Sequence, residues 1–116
     1  MIVFNFGILI ATTIVMIDTT FYIVENIRSA DGYQSIGKFF MGNDKDSALN
    51  IFHKLKGSSK VDDKAMLTLE LRETKNELPL NLLMISCTLE EFAENSRIIT
   101  KEIFKLFNLD ISGNAN

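Results

Sequence analysis

The chain has 116 residues, of which 47% are hydrophobic and 23% charged; this composition excludes a disordered protein and fits one domain. The net charge of −3, with acidic residues scattered among the lysines, argues against a nucleic-acid partner, which requires a basic surface to neutralise phosphates. Cys87 is the only cysteine, so an intramolecular disulfide is excluded and we expect a reducing, cytoplasmic location.

Residues 1–17 form an apolar segment without a charge. Three interpretations stay open: an appended segment that precedes a natural start at Met16, an additional strand, or a membrane anchor, which requires roughly 17–25 apolar residues. We expect membrane contact only through this segment. The rest divides into a single α+β domain, residues 18–111, and a polar tail, residues 112–116.

Two modules of the same kind follow, each with two strands and one helix. In the first module, "TFYIVENIR" and "IGKFFM" predict strands because β-branched and aromatic residues dominate them, and "ADGY" between them predicts a turn. The stretch "NDKDSALNIFHKLKG" predicts a helix capped by Asn43 and ended by Gly57. Its apolar residues recur with helical spacing: Ala48, Ile51, Phe52 and Leu55.

In the second module, leucines alternate with polar residues from Leu67 to Arg72, which predicts a strand with one solvated face. The stretch "LNLLMISC", residues 80–87, is almost wholly apolar and predicts a central strand. Thr88 and Glu91 have the spacing of a capping box, so a helix should run from there to about Phe107. Its predicted inner face consists of Phe92, Ser96, Ile99, Ile103 and Leu106.

These elements predict an α+β fold with tandem ββα-ββα order. Four strands would form one antiparallel sheet, and both helices would cover one face because each has a single apolar stripe to bury. The alternative is a ferredoxin-like fold, which needs an extra N-terminal strand supplied from residues 2–15.

No catalytic, cofactor-binding or metal-binding motif is recognisable, so we predict no cofactor and no catalytic residue. His53 is the only histidine and should be exposed on its helix. Cys87 is the one candidate for a reactive thiol, because a helix N-terminus lowers a thiol pKa. The other interpretation of Cys87 is a small apolar residue packed beside the helix start.

The strongest functional signal is an excess of apolar residues. Both alternating sets of side chains in residues 80–87 are apolar, so a partner should cover the second face unless the sheet is more enclosed than two helices on one face would make it. Candidate interface residues are Leu83, Ile85, Ile98 and Phe104.

Three functional hypotheses follow. The first is a non-enzymatic protein-interaction module that binds a protein partner or a second copy of itself as a homodimer. The second is a small ligand-binding domain or enzyme on the open sheet face, with Cys87, Glu70 and Tyr22 or Tyr33 as its polar groups. The third is a domain tethered to a membrane by residues 1–17.

Overall fold

The computed structural model describes residues 19–107, and within them it confirms the predicted α+β fold with ββα-ββα order. The predicted boundaries at 17/18 and 111/112 lie outside the described residues, as does the strand that the ferredoxin-like alternative requires. The elements are β1 (Thr19–Ser29), β2 (Gly32–Phe40), α1 (Lys45–Phe52), β3 (Leu67–Lys75), β4 (Leu78–Cys87) and α2 (Leu89–Leu106).

The four strands form one antiparallel sheet in the order β2-β1-β3-β4. Each module contributes a hairpin, and the two hairpins join through β1 and β3 at the centre of the sheet. The strands β2 and β4 are therefore its two edges. This arrangement differs from the central position that the apolar stretch of residues 80–87 predicted, because β4 pairs only with β3.

Both helices pack on one face of the sheet. Alternate residues of β1 and β3 point to this face, since side chains of a strand alternate between its two sides. The core contains residues of both central strands, of both helices and of the connection after β2. These residues are Phe21 and Ile23 in β1, Leu69 and Leu71 in β3, Ala48, Ile51 and Phe52 in α1, Ile99 in α2, and Met41 directly after β2. One apolar stripe on each helix thus accounts for the two-layer architecture.

The helix α1 is shorter than predicted and begins with a different cap. Asp44, not Asn43, is the N-cap, and its Oδ2 accepts bonds from the backbone N–H of Ser47 at 2.9 Å and from its hydroxyl at 2.8 Å. These bonds hold the pKa of Asp44 below its usual value. Asn43 donates to the Thr19 carbonyl at 2.9 Å instead and ties the helix entrance to β1.

The segment after α1 approaches β4 closely at Gly57. The helix ends at Phe52, so Gly57 is not its terminator as predicted. Its φ is +157°, and a Cβ at this position would lie 2.5 Å from the Ser86 carbonyl oxygen. Only glycine fits this approach, after which Ser58 and Ser86 exchange two backbone hydrogen bonds of 2.8 and 2.9 Å.

The helix α2 begins with the predicted capping box. Thr88 Oγ1 accepts from the N–H of Glu91 at 3.1 Å, and Glu91 Oε1 accepts from the N–H of Thr88 at 2.9 Å. Two of the first free N–H groups of the helix are thereby satisfied, which fixes α2 directly after β4.

The turn between β3 and β4 places two side-chain-bearing residues in the left-handed region. Asn76 has φ 52° and Glu77 has φ 68°. Positive φ at both central residues is the geometry of a type I′ hairpin turn. Asn tolerates it well, but Glu77 occupies the position that glycine normally fills.

We therefore expect Glu77→Gly to be more stable than Glu77→Ala by about 1 kcal/mol, because alanine keeps the Cβ that disfavours this conformation. Both substitutions remove the same charge, so their difference reports the backbone alone. Equilibrium urea unfolding measures it. Equal stability of the two variants would show that position 77 is not in the left-handed region.

Candidate functional site

A β-bulge in β4 determines which side chains face the helices. Leu71 pairs with Leu83 and Arg72 pairs with Asn81, so Leu82 has no partner in β3. An extra residue in one strand shifts its side-chain alternation by one position.

As a result, the apolar residues on both sides of the bulge point toward the helices. Before the bulge these residues are Leu78 and Leu80, and after it they are Leu83 and Ile85. Leu82 itself also packs against the core. The expectation that the two alternating sets lie on opposite faces of β4 is wrong for this reason.

Polar side chains of β1, β3 and β4 form a hydrogen-bonded group on the open face of the sheet. Glu70 lies at its centre and is 7% exposed. Its Oε1 accepts from Asn26 Nδ2 at 3.3 Å and lies 3.1 Å from Arg72 Nη2, whereas its Oε2 accepts from Arg72 Nε at 3.3 Å and from Asn81 Nδ2 at 3.1 Å. Both carboxylate oxygens are thus engaged within the fold.

The polar groups that the second hypothesis requires do not converge. Tyr22 lies on the open face, where the Lys38 ammonium is 4.4 Å from the centre of its ring. Tyr33 donates its hydroxyl to the Ala65 carbonyl at 2.9 Å. Cys87 points to the helix-covered face, so it cannot act together with Glu70.

An apolar cleft opens on the helix-covered side, between the end of α1 and β4. Its volume is about 210 Å³, larger than the roughly 150 Å³ cavity that accommodates benzene in an engineered protein core. One aliphatic side chain therefore fits into it. The cleft is lined by Phe52, His53, Leu55, Ser59, Leu83, Met84 and Ile85.

Protruding leucines lie beside this cleft on the same edge strand. Leu78 is 72% exposed and Leu80 is 57% exposed. No charged residue occurs from position 78 to position 89, although edge strands are commonly protected by charges. Leu78, Leu80 and the cleft residues together are called the β4 surface below.

Among residues 19–107, part of the β4 backbone has no strand partner on its outer side. The Ser58–Ser86 bonds show that the backbone N–H and C=O of Ser86 point away from β3. Because this direction repeats every second residue in an antiparallel ladder, the backbone groups of Met84 point away from β3 as well.

The four candidate interface residues do not form one surface. Leu83 and Ile85 line the cleft and are half-buried. Ile98 is half-buried on the same flank of α2 as Glu102, whose Oε1 binds Lys54 Nζ at 3.1 Å. Phe104 is 46% exposed and lies on the opposite flank of α2.

The surroundings of Cys87 favour its thiol over its thiolate. Burial raises the pKa of Cys87 to about 11, against a lowering by the Asn95 hydrogen bond and with further raising by Glu91 and Glu25. The lower pKa expected at a helix N-terminus is therefore not found, because burial outweighs the helix dipole. At neutral pH the thiol is protonated and serves as a packing group against the core.

We expect iodoacetamide to alkylate Cys87 slowly at pH 8 and progressively faster up to about pH 11. The pKa of Cys87 in the folded state lies above the ordinary 9.0 of a thiol. The free energy of unfolding should therefore fall as the pH rises from 9 to 11. A Cys87→Ser, Ser59→Cys double variant provides an exposed thiol as the control. Rapid alkylation of native Cys87 at pH 8 would contradict this account.

Asn95 holds the cleft wall in place, and the sequence did not reveal this role. Its side chain is fully buried, its Oδ1 accepts from the Lys56 N–H at 2.8 Å, and its Nδ2 donates to the Lys56 carbonyl at 2.7 Å. Asn95 lies four residues before Ile99, so helical spacing could have predicted its burial but not its partner. Beside it, Ser96 donates to Glu25 Oε2 at 2.7 Å and fixes α2 on β1.

We expect Asn95→Ala to lower the free energy of unfolding by about 2–3 kcal/mol, because it leaves two backbone groups of Lys56 without partners. Asn95→Asp should cost less at low pH, where the protonated carboxyl offers both an acceptor and an O–H donor, than at neutral pH, where the carboxylate has no donor for the Lys56 carbonyl. Glu94→Ala, at the half-buried position next in sequence, is the control, because it removes only an ion pair with the exposed Arg97, which contributes little to stability. Equal stability of Asn95→Ala and Glu94→Ala would contradict this role of the two Asn95–Lys56 hydrogen bonds.

Comparison of the chain with protein-family models, with curated proteins and with solved structures finds no match. Between residues 19 and 107, neither helix is long and apolar enough to cross a bilayer. In this same part of the chain, no three side chains of His, Cys, Asp or Glu come together where they could hold a metal ion.

Proposed function

We propose that this chain is a non-enzymatic protein-interaction module of the cytoplasm and that the β4 surface is its binding site. The observation that carries the proposal is a charge-free edge strand with two exposed leucines beside an apolar cleft. Exposed apolar area of this kind marks an interaction site in soluble proteins.

The binding mode that this geometry favours is strand addition. An extended segment would pair with the free backbone groups of Met84 and place one apolar side chain in the cleft. Burial of a leucine-sized side chain contributes about 1.5–3 kcal/mol, and the backbone bonds add orientation.

The two alternative functions have less support. The carboxylate that a ligand site on the open face would use, that of Glu70, has both oxygens bound by Asn26, Arg72 and Asn81. A membrane tether rests only on the apolar composition of residues 1–17.

A synthetic peptide tests the binding mode without a known partner. The probe is fluorescein-labelled Lys-Lys-Thr-Leu-Thr-Leu-Thr-Leu-Lys-Lys, which alternates apolar and polar side chains as an added strand requires. We expect saturable binding by fluorescence anisotropy, weakened about tenfold or more by Met84→Lys because a charge blocks the free edge.

The matched control is Gln34→Lys, which makes the same charge change on the other edge strand, β2. It should leave peptide binding within about twofold of the unchanged chain, since only the position of the added charge differs. Absence of saturable binding, or equal weakening by both substitutions, would contradict the proposal.

A further inference from the structure

We infer that the occupant of the β4 surface is a second copy of this chain, with the two β4 strands antiparallel about a two-fold axis perpendicular to the sheet. This inference rests on the proposed function, since it names the partner of the same surface. The two sheets would join into one sheet of eight strands with all four helices on one side.

The shape of the β4 surface is complementary to itself. Its protruding part, Leu78 and Leu80, precedes Leu82, and its concave part, the cleft beside Leu83 and Ile85, follows it. Both parts face the helix-covered side because of the bulge. Antiparallel pairing about the point between Leu82 and Leu83 places the leucines of each copy against the cleft of the other, so the contact forms twice.

The length of the free edge locates the two-fold axis. At one end Pro79 lacks an N–H, and at the other end Ser58 already pairs with Ser86. The stretch available to a second copy therefore runs from residue 80 to residue 85, and its middle lies between Leu82 and Leu83. Because the bulge shifts the alternation by one residue, the backbone groups that point outward before it belong to Asn81, which pairs with Met84 of the second copy. With this register, Leu80 of one copy lies opposite Ile85 of the second copy, and both face the helix-covered side.

Charge favours the antiparallel orientation. The β4 strand itself carries no charge, so two copies do not repel each other there despite a net charge of −3 each. Glu77 lies at one end of β4, and Lys60 lies beside the other end, where its carbonyl accepts from Ser86 Oγ at 3.2 Å. Antiparallel pairing brings Glu77 of each copy to Lys60 of the other, whereas parallel pairing brings like charges together.

Charge reversal at these two positions tests both the partner and the orientation. We expect sedimentation equilibrium of the full chain to show a dimer, and Glu77→Lys and Lys60→Glu to raise its dissociation constant about three- to tenfold each by placing like charges together. The double variant should return to within about twofold of the unchanged chain because the pair is restored in reverse. Lys45→Glu, the same charge change at the start of α1, should leave the dimer unchanged.

Failure of this inference can be distinguished from failure of the proposed function. A monomeric chain that still binds the Thr-Leu peptide at the β4 surface would contradict the inference that the partner is a second copy, but it would agree with the proposed protein-interaction function. A monomer that does not bind the peptide would overturn both. A dimer that Met84→Lys leaves intact would place the interface elsewhere, and a dimer without rescue in the double variant would overturn the antiparallel orientation.

Discussion

The unpaired residue Leu82 is the constraint on which the rest of the structure depends. Without the bulge, strict alternation from Ile85 back to Leu78 would turn the first half of β4 over, and its exposed leucines would lie on the open face. With the bulge, every large aliphatic side chain of the strand except Met84 faces the helices. One inserted residue thus creates a surface that is apolar, one-sided and located at the edge of the sheet.

The two faces of the sheet consequently have different roles. The open face is held by the hydrogen bonds and ion pair of Glu70, which join β1, β3 and β4. The helix-covered face is held by apolar packing and by buried amide contacts, chiefly Asn95 on Lys56. The two hydrogen bonds of Asn95 to the Lys56 backbone fix the segment between α1 and β3, and with it the wall of the cleft. Binding of a partner in the cleft would therefore require little rearrangement.

The local patterns of the sequence predicted the fold well but the site only in part. Alternation in β3, helical spacing in α1 and the Thr88–Glu91 capping box each depend on neighbours in sequence, so they were readable directly. The bulge was hidden because apolar residues occupy both phases of β4, and the Asn95 contact joins residues 39 positions apart. The two interpretations of Cys87 could not be separated from the sequence, because the burial that raises its pKa is set by tertiary packing.

The register of β3 against β4 is the most direct test of this account, and cross-strand NOEs measure it. We expect Glu70 opposite Met84 and Arg72 opposite Asn81, with no partner for Leu82. In a regular strand Arg72 would instead be opposite Leu82. NOEs between Arg72 and Asn81 would support the bulge, whereas NOEs that place Leu82 directly across from Arg72 would remove the one-sided apolar edge and the proposals built on it.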